Sequence, residues 1–166
     1  MSFRRIYYLF LFILLSPSIG SASELHDFTS DGCTLFPDGT AKDRALWCAC
    51  CFDHDRAYWE GGTKEERKKA DEALRICILE KTGNKALAKM MYEGVRAGGH
   101  PAFPSTYRWG YGWKYGRKYV PLTEQEKQQV RDRLDVYRNT HPSGYCRDKH
   151  DDSADISSEN RSISGM

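Results

Sequence analysis

The sequence contains no apolar run long enough to cross a bilayer. The longest, residues 6–15, falls well short of the roughly 20 residues that a spanning helix needs. It follows Arg4 and Arg5 and precedes the small residues Ser21-Ala22-Ser23, so residues 1–23 read as an export signal rather than an anchor. No cysteine closely follows that run, the first being Cys33, which argues against a lipid-anchored product. An excess of one charge is missing too. The formal net charge is +2, and 1–23 holds two arginines and no acidic residue, so the exported chain is balanced and offers no electrostatic case for binding nucleic acid. Internal repeats are absent, and nothing points to an oligomeric state. The 166 residues suit one domain over 24–146, with a Ser-, Asp- and Asn-rich tail over 147–166 expected to be disordered.

Six cysteines are present: Cys33, Cys48, Cys50, Cys51, Cys77 and Cys146. In an exported chain, secreted or periplasmic, an even number of this kind reads as three disulfides. The rival readings of Cys48-Ala49-Cys50-Cys51, a metal knuckle with His54 or a redox pair, are weakened by export and by the lack of a second knuckle.

The apolar pattern predicts a mainly α fold of four helices joined by long loops. The first spans about residues 42–59 and ends at Gly61-Gly62. Thr63-Lys64-Glu65-Glu66 is a capping box opening a second helix to about residue 81, with Ala70, Ala73, Leu74, Cys77 and Ile78 as its buried stripe. A third covers roughly 85–96, with Leu87, Met90, Met91 and Val95 inward and the Met pair as core filling. Another capping box, Thr123-Glu124-Gln125-Glu126, opens a fourth, on which Val130, Leu134 and Tyr137 share a face.

The chemistry concentrates in residues 50–58, Cys50-Cys51-Phe52-Asp53-His54-Asp55-Arg56-Ala57-Tyr58. On a helix, Cys50, Cys51 and Tyr58 fall on the same side as His54, and Asp55 sits one step round from it. Asp71 lies inside the apolar stripe of the second helix and therefore needs a partner. Two readings stay open: an ion pair with Arg67 or Arg75, each four residues away, or a hydrogen bond to a histidine on a facing helix that fixes that ring's tautomer.

Cys-Cys-x-x-His-Asp-x-x-Tyr on a helix, here Cys50, Cys51, His54, Asp55 and Tyr58, resembles the active-site signature of secreted phospholipase A2. The six-residue spacing of Asp71 and Cys77 is similar to that of the family's other active-site aspartate and helix cysteine. Ala57 stands where the animal branch has a cysteine, and Trp59-Glu60-Gly61-Gly62 leaves no room for that branch's β-hairpin, so the resemblance is to a compact, bacterial-type member. It covers about residues 31–80. It implies a pair of antiparallel disulfide-linked helices, and calcium-dependent hydrolysis of a phospholipid ester at a membrane surface. His54 would be the general base, Asp71 would hold its far nitrogen, and Tyr58 would donate to Asp71. Calcium would be bound by Asp55 and by loop carbonyls, for which Gly32 and Thr34 are the candidates. The loop, Asp31-Gly32-Cys33-Thr34-Leu35-Phe36-Pro37-Asp38-Gly39, lacks the family's X-Cys-Gly-x-Gly; Asp31 or Asp38 could add a side-chain oxygen, or the segment could be a plain turn. The resemblance further implies Cys33–Cys51 and Cys50–Cys77 disulfides, leaving Cys48 for Cys146. A non-catalytic member of the fold, binding a lipid surface or a protein partner, is the alternative.

Residues 107–119 alternate six aromatics with glycines and four basic residues. This fits a structured loop whose rings cover the helices, or a lipid-facing patch or acyl channel; stacking of single-stranded nucleic acid is disfavoured by the neutral chain. His26, His100, His141 and His150 have no comparable partners in sequence and read as surface or loop residues.

Overall fold

The computed structural model describes residues 24–147; the expected export signal, the expected tail beyond Arg147 and His150 lie outside the described residues. Four helices follow in order: α1 Cys48–Glu60, α2 Lys64–Thr82, α3 Lys85–Gly98 and α4 Glu124–Thr140. No β-strand occurs among the described residues.

Local chemistry explains the helix ends. Thr63 and Thr123 accept the backbone N–H of Glu66 and Glu126, and those glutamates reach back to the cap N–H groups, so both capping boxes are formed. Asn84 caps α3 through Leu87 N–H, and Gly99 follows its last residue. The start of α1 departs from the pattern-based expectation, lying at Cys48 rather than near residue 42. Its upstream backbone donors are engaged in a loop: Asp43 N–H bonds to the Thr40 hydroxyl, Ala45 N–H to the Asp43 carboxylate, and Trp47 N–H to the Asp38 carbonyl. The Trp47 indole also donates to the Pro37 carbonyl. These side-chain bonds offer the backbone an alternative to helix.

Helix α1 sits between two apolar clusters. On one side Cys50 and Cys51 join Trp47, Leu74 and Ile78 of α2, and Ala88 and Met91 of α3. On the other, Trp59 packs with Leu25, Phe28, Trp113 and Val130, with Phe52, Leu134 and Tyr137 at the edges. Each fully buried large apolar side chain contributes about 1.5–3 kcal/mol, so both clusters matter to stability. Two expected core positions face outward: Ala73 and Met90 are exposed. The inner face of α2 instead includes Arg67 and Asp71, and that of α3 runs through Ala88 and Met91, one step round from Met90.

Three disulfides join Cys33 to Cys51, Cys48 to Cys146 and Cys50 to Cys77, and they use all six cysteines. Cys50 lies near the start of α1 and Cys77 near the end of α2, and only Gly61-Gly62-Thr63 separates the helices. The bridge therefore requires them to run in opposite directions side by side.

The aromatic–glycine segment 107–119 closes the C-terminal end of α1. The last four carbonyls of a helix lack internal partners. Here the Ala57 carbonyl accepts from Gly61 N–H, that of Tyr58 from Gly110 N–H at 2.6 Å, that of Trp59 from Gly112 N–H at 3.2 Å and that of Glu60 from the Trp113 indole at 2.7 Å. A Cβ at Gly112 would lie 2.5 Å from the Trp59 ring, so this approach requires glycine. Trp109 and Trp113 are buried in this cover, whereas Tyr107 and Tyr115 of the same segment are exposed.

Candidate active site

The disulfide and the helix spacing bring His54 and Asp71 together in the interior. His54 Nε2 lies 3.0 Å from Asp71 Oδ1, and the Tyr58 hydroxyl donates to the same oxygen at 2.7 Å. Asp71 is fully buried, and His54 and Tyr58 are buried as well. Burial works to raise the Asp71 pKa, but hydrogen bonds from His54, Arg96 and Tyr58 outweigh it and hold the carboxyl below its ordinary range. An ionised Asp71 has no proton to give, so Nε2 carries the ring hydrogen, and the lone pair of a neutral ring falls on Nδ1. Burial, reinforced by the Asp71 charge, pushes the Tyr58 phenol up, so it stays a donor.

Two arginines complete this cluster. Arg96 of α3 donates to Asp71 Oδ2 at 2.5 Å, while Arg67 Nε stands 3.9 Å from the same oxygen. Arg67 is buried and bonds instead to the hydroxyls of Tyr58 and Tyr119 and to the carbonyls of Val95 and Arg96. Both open readings of Asp71 therefore describe part of its environment, because it faces a histidine and a cation at once. Arg75 takes no part and pairs with Glu72.

His54 lines a cavity of about 160 Å³ whose other walls are largely apolar, among them Leu35, Phe36, Leu74, Met91 and Val95. Tyr107 is the one member of the aromatic–glycine segment on this cavity. Gly32, Thr34 and Asp55 line it too, so the candidate metal residues adjoin the histidine.

The segment 30–36 wraps over Asp55. The Ser30 hydroxyl donates to Asp55 Oδ2 at 2.6 Å, and the Thr34 hydroxyl donates to Asp31 at 3.0 Å. Gly32 and Thr34 both adopt positive φ, 77° and 52°, which turns the chain sharply around the carboxylate. Burial, opposed by the Ser30 hydrogen bond and reinforced by the Asp31 charge, pushes the Asp55 carboxyl up to about 7. No basic side chain among the described residues forms an ion pair with it. The Cys33 carbonyl accepts from Phe36 N–H, whereas those of Gly32 and Thr34 accept no hydrogen bond from the described residues. Among the described residues no three His, Cys, Asp or Glu side chains converge there, so a cation at this point would depend on carbonyl and hydroxyl oxygens beside the single carboxylate of Asp55. Such hard oxygens beside an electrostatically unfavourable carboxylate fit calcium. Asp38 does not line the cavity: it is buried and accepts Cys33 N–H at 2.9 Å, holding the loop together.

Sequence reasoning missed Arg96 and Ser30. Neither has a helical spacing to its partner, Arg96 lying 25 residues from Asp71 and Ser30 the same distance from Asp55. His26 and His100 are exposed, and His141 stacks on Tyr137 away from this site. No family model, curated protein or solved structure matches the chain.

Proposed function

We propose that the protein is a calcium-dependent phospholipase A2 of a compact, bacterial type, exported from the cell, which hydrolyses the sn-2 ester of glycerophospholipids. The observation that carries this reading is the His54–Asp71 pair, 3.0 Å apart, at the edge of an apolar cavity shared with Asp55. An apolar wall suits a fatty acyl chain, and a histidine with its far nitrogen held by a carboxylate suits a general base.

His54 Nδ1 takes a proton from a water molecule as the water oxygen attacks the ester carbonyl. The acyl C–O bond then breaks, the proton passes to the departing glycerol oxygen, and a fatty acid and a lysophospholipid result. Asp71 keeps Nε2 protonated and stabilises the imidazolium that forms midway. Tyr58 holds Asp71 from the side of α1. Calcium, held by Asp55 and the carbonyls of Gly32 and Thr34, would supply Lewis-acid polarisation of the ester carbonyl.

The test is release of fatty acid from phosphatidylglycerol and phosphatidylcholine vesicles, with calcium or with a chelator, followed by assignment of the cleaved position. Release should need calcium and come from sn-2. A folded His54→Gln protein should lose at least about 10²-fold in turnover, because an amide cannot take the proton. Vesicle binding without release by the wild type would favour the non-catalytic alternative and sink this reading.

A further inference from the structure

Asp71 is held from two sides, and the division between its oxygens is informative. Oδ1 receives both donors from α1, His54 and Tyr58, whereas Oδ2 receives only Arg96 of α3. The second guanidinium, Arg67, stops 3.9 Å from Oδ2. The carboxylate torsion of aspartate is broad, so nothing intrinsic to Asp71 favours the rotamer that aims Oδ1 at the histidine. Arg67 also binds the Val95 and Arg96 carbonyls in the last turn of α3, at 3.0 and 2.8 Å, the former in addition to its bond from Gly99 N–H. That clamp sets the last turn of α3 so that the Arg96 side chain reaches Asp71.

We propose that Arg96 is a positioning residue for the His54 base: by holding Asp71 Oδ2 it keeps Oδ1 on His54 Nε2 and so keeps the lone pair of the ring on Nδ1. The inference rests on the reading of His54 as the base. Arg96 does not line the cavity, so its effect on chemistry passes through Asp71 rather than through contact with substrate. Without it the nearest remaining cation is Arg67, and closure of the 3.9 Å gap would rotate the carboxylate away from the histidine.

The experiment compares wild type, Arg96→Met, Arg96→Lys and Arg96→Ala, each checked for folding by circular dichroism. Nitrogen-15 NMR of His54 should report the Nε2-protonated ring in the wild type and a mixture of tautomers in Arg96→Met, with Arg96→Lys between them. On phospholipid vesicles with calcium, kcat of Arg96→Met should fall about tenfold or more with KM unchanged, in line with other residues that orient a catalytic group at one remove. Free guanidinium should restore part of kcat to Arg96→Ala, since Arg96 is 27% exposed and its place can be reached from solvent. A wild-type His54 spectrum in Arg96→Met would overturn the proposal. So would a rise in KM at constant kcat, which would make Arg96 a substrate contact. If Arg96→Met does not fold, the Arg96→Lys spectrum decides alone. A wild type that releases no fatty acid defeats the phospholipase reading, while the NMR comparison still tests the positioning of His54.

Discussion

Two neighbouring glycines should respond to alanine in opposite directions. Gly98 is the last residue of α3, its φ is not positive, and a Cβ there would meet nothing within 4 Å. Gly98→Ala should therefore gain helix propensity, up to about 1 kcal/mol. Gly99 also has an ordinary φ of −88°, so backbone strain is not at issue. Its added Cβ would lie 2.3 Å from Tyr58 Cε1 and 2.8 Å from the Tyr58 hydroxyl oxygen. That ring cannot retreat freely, because its hydroxyl bonds to Asp71 and Arg67 and it packs in a T-shaped contact with the Trp109 ring. Overpacking of this kind costs about 1–3 kcal/mol. For a domain of this size that is a loss of roughly 4–12 °C in Tm, against a gain of up to about 4 °C for Gly98→Ala. Displacement of Tyr58 should also loosen Asp71, so turnover per folded Gly99→Ala molecule should drop. Differential scanning calorimetry of the two variants beside the wild type measures both shifts. A Gly99→Ala protein that melts with the wild type would refute the placement of Tyr58 against the end of α3.

Stability should depend on pH in a way that exposes Asp55. Its carboxyl is pushed up to about 7 in the folded protein from an ordinary 3.8, so the folded state binds this proton more tightly and stability is lost as pH rises between these values. Asp71 is shifted downward, so its contribution is present above about pH 4 and lost as pH falls below that. With a chelator, Tm should therefore peak near pH 4–5 and decline toward 7; Asp55→Asn should flatten the decline, and calcium at pH 7 should raise Tm in the wild type but not in Asp55→Lys. A flat chelated profile from 4 to 7 in the wild type would contradict the burial of Asp55. Among the disulfides, the Cys48–Cys146 link closes 98 residues and Cys33–Cys51 closes 18, so paired serine replacement at the former should cost about 1.5 kcal/mol more by the chain-entropy relation. Denaturant titration of the two variants gives that difference, and equal midpoints would speak against it.

What could be read in advance was whatever the chain encodes through short helical spacing. His54 to Tyr58 and Thr63 to Glu66 lie three or four residues apart, and helix geometry alone puts such pairs on one face. Asp71 was legible as a buried carboxylate because it interrupts an apolar stripe. Arg96 was not, since its link to Asp71 depends on how α3 folds back over α2 and on the Arg67 clamp, and no local pattern encodes either. The late start of α1 was hidden for a different reason: residues 42–47 are compatible with a helix, and only their hydrogen bonds to residues 37–40 divert them. The 107–119 segment showed its composition but not its target, the open carbonyl end of a helix some 50 residues earlier.

Because α1 is the wall common to both apolar clusters, neither cluster can come apart without uncovering one flank of the helix that bears His54. Local opening at the periphery, such as detachment of α4, leaves the other flank held to α2 by the Cys50–Cys77 bridge and to the 30–36 loop by Cys33–Cys51. The amides of α1 should thus exchange with solvent only in the largest opening events of the molecule, while those of α4 exchange through smaller ones. His54, the proposed base, then rides on the most persistent element of the fold, and damage at the rim reaches it last.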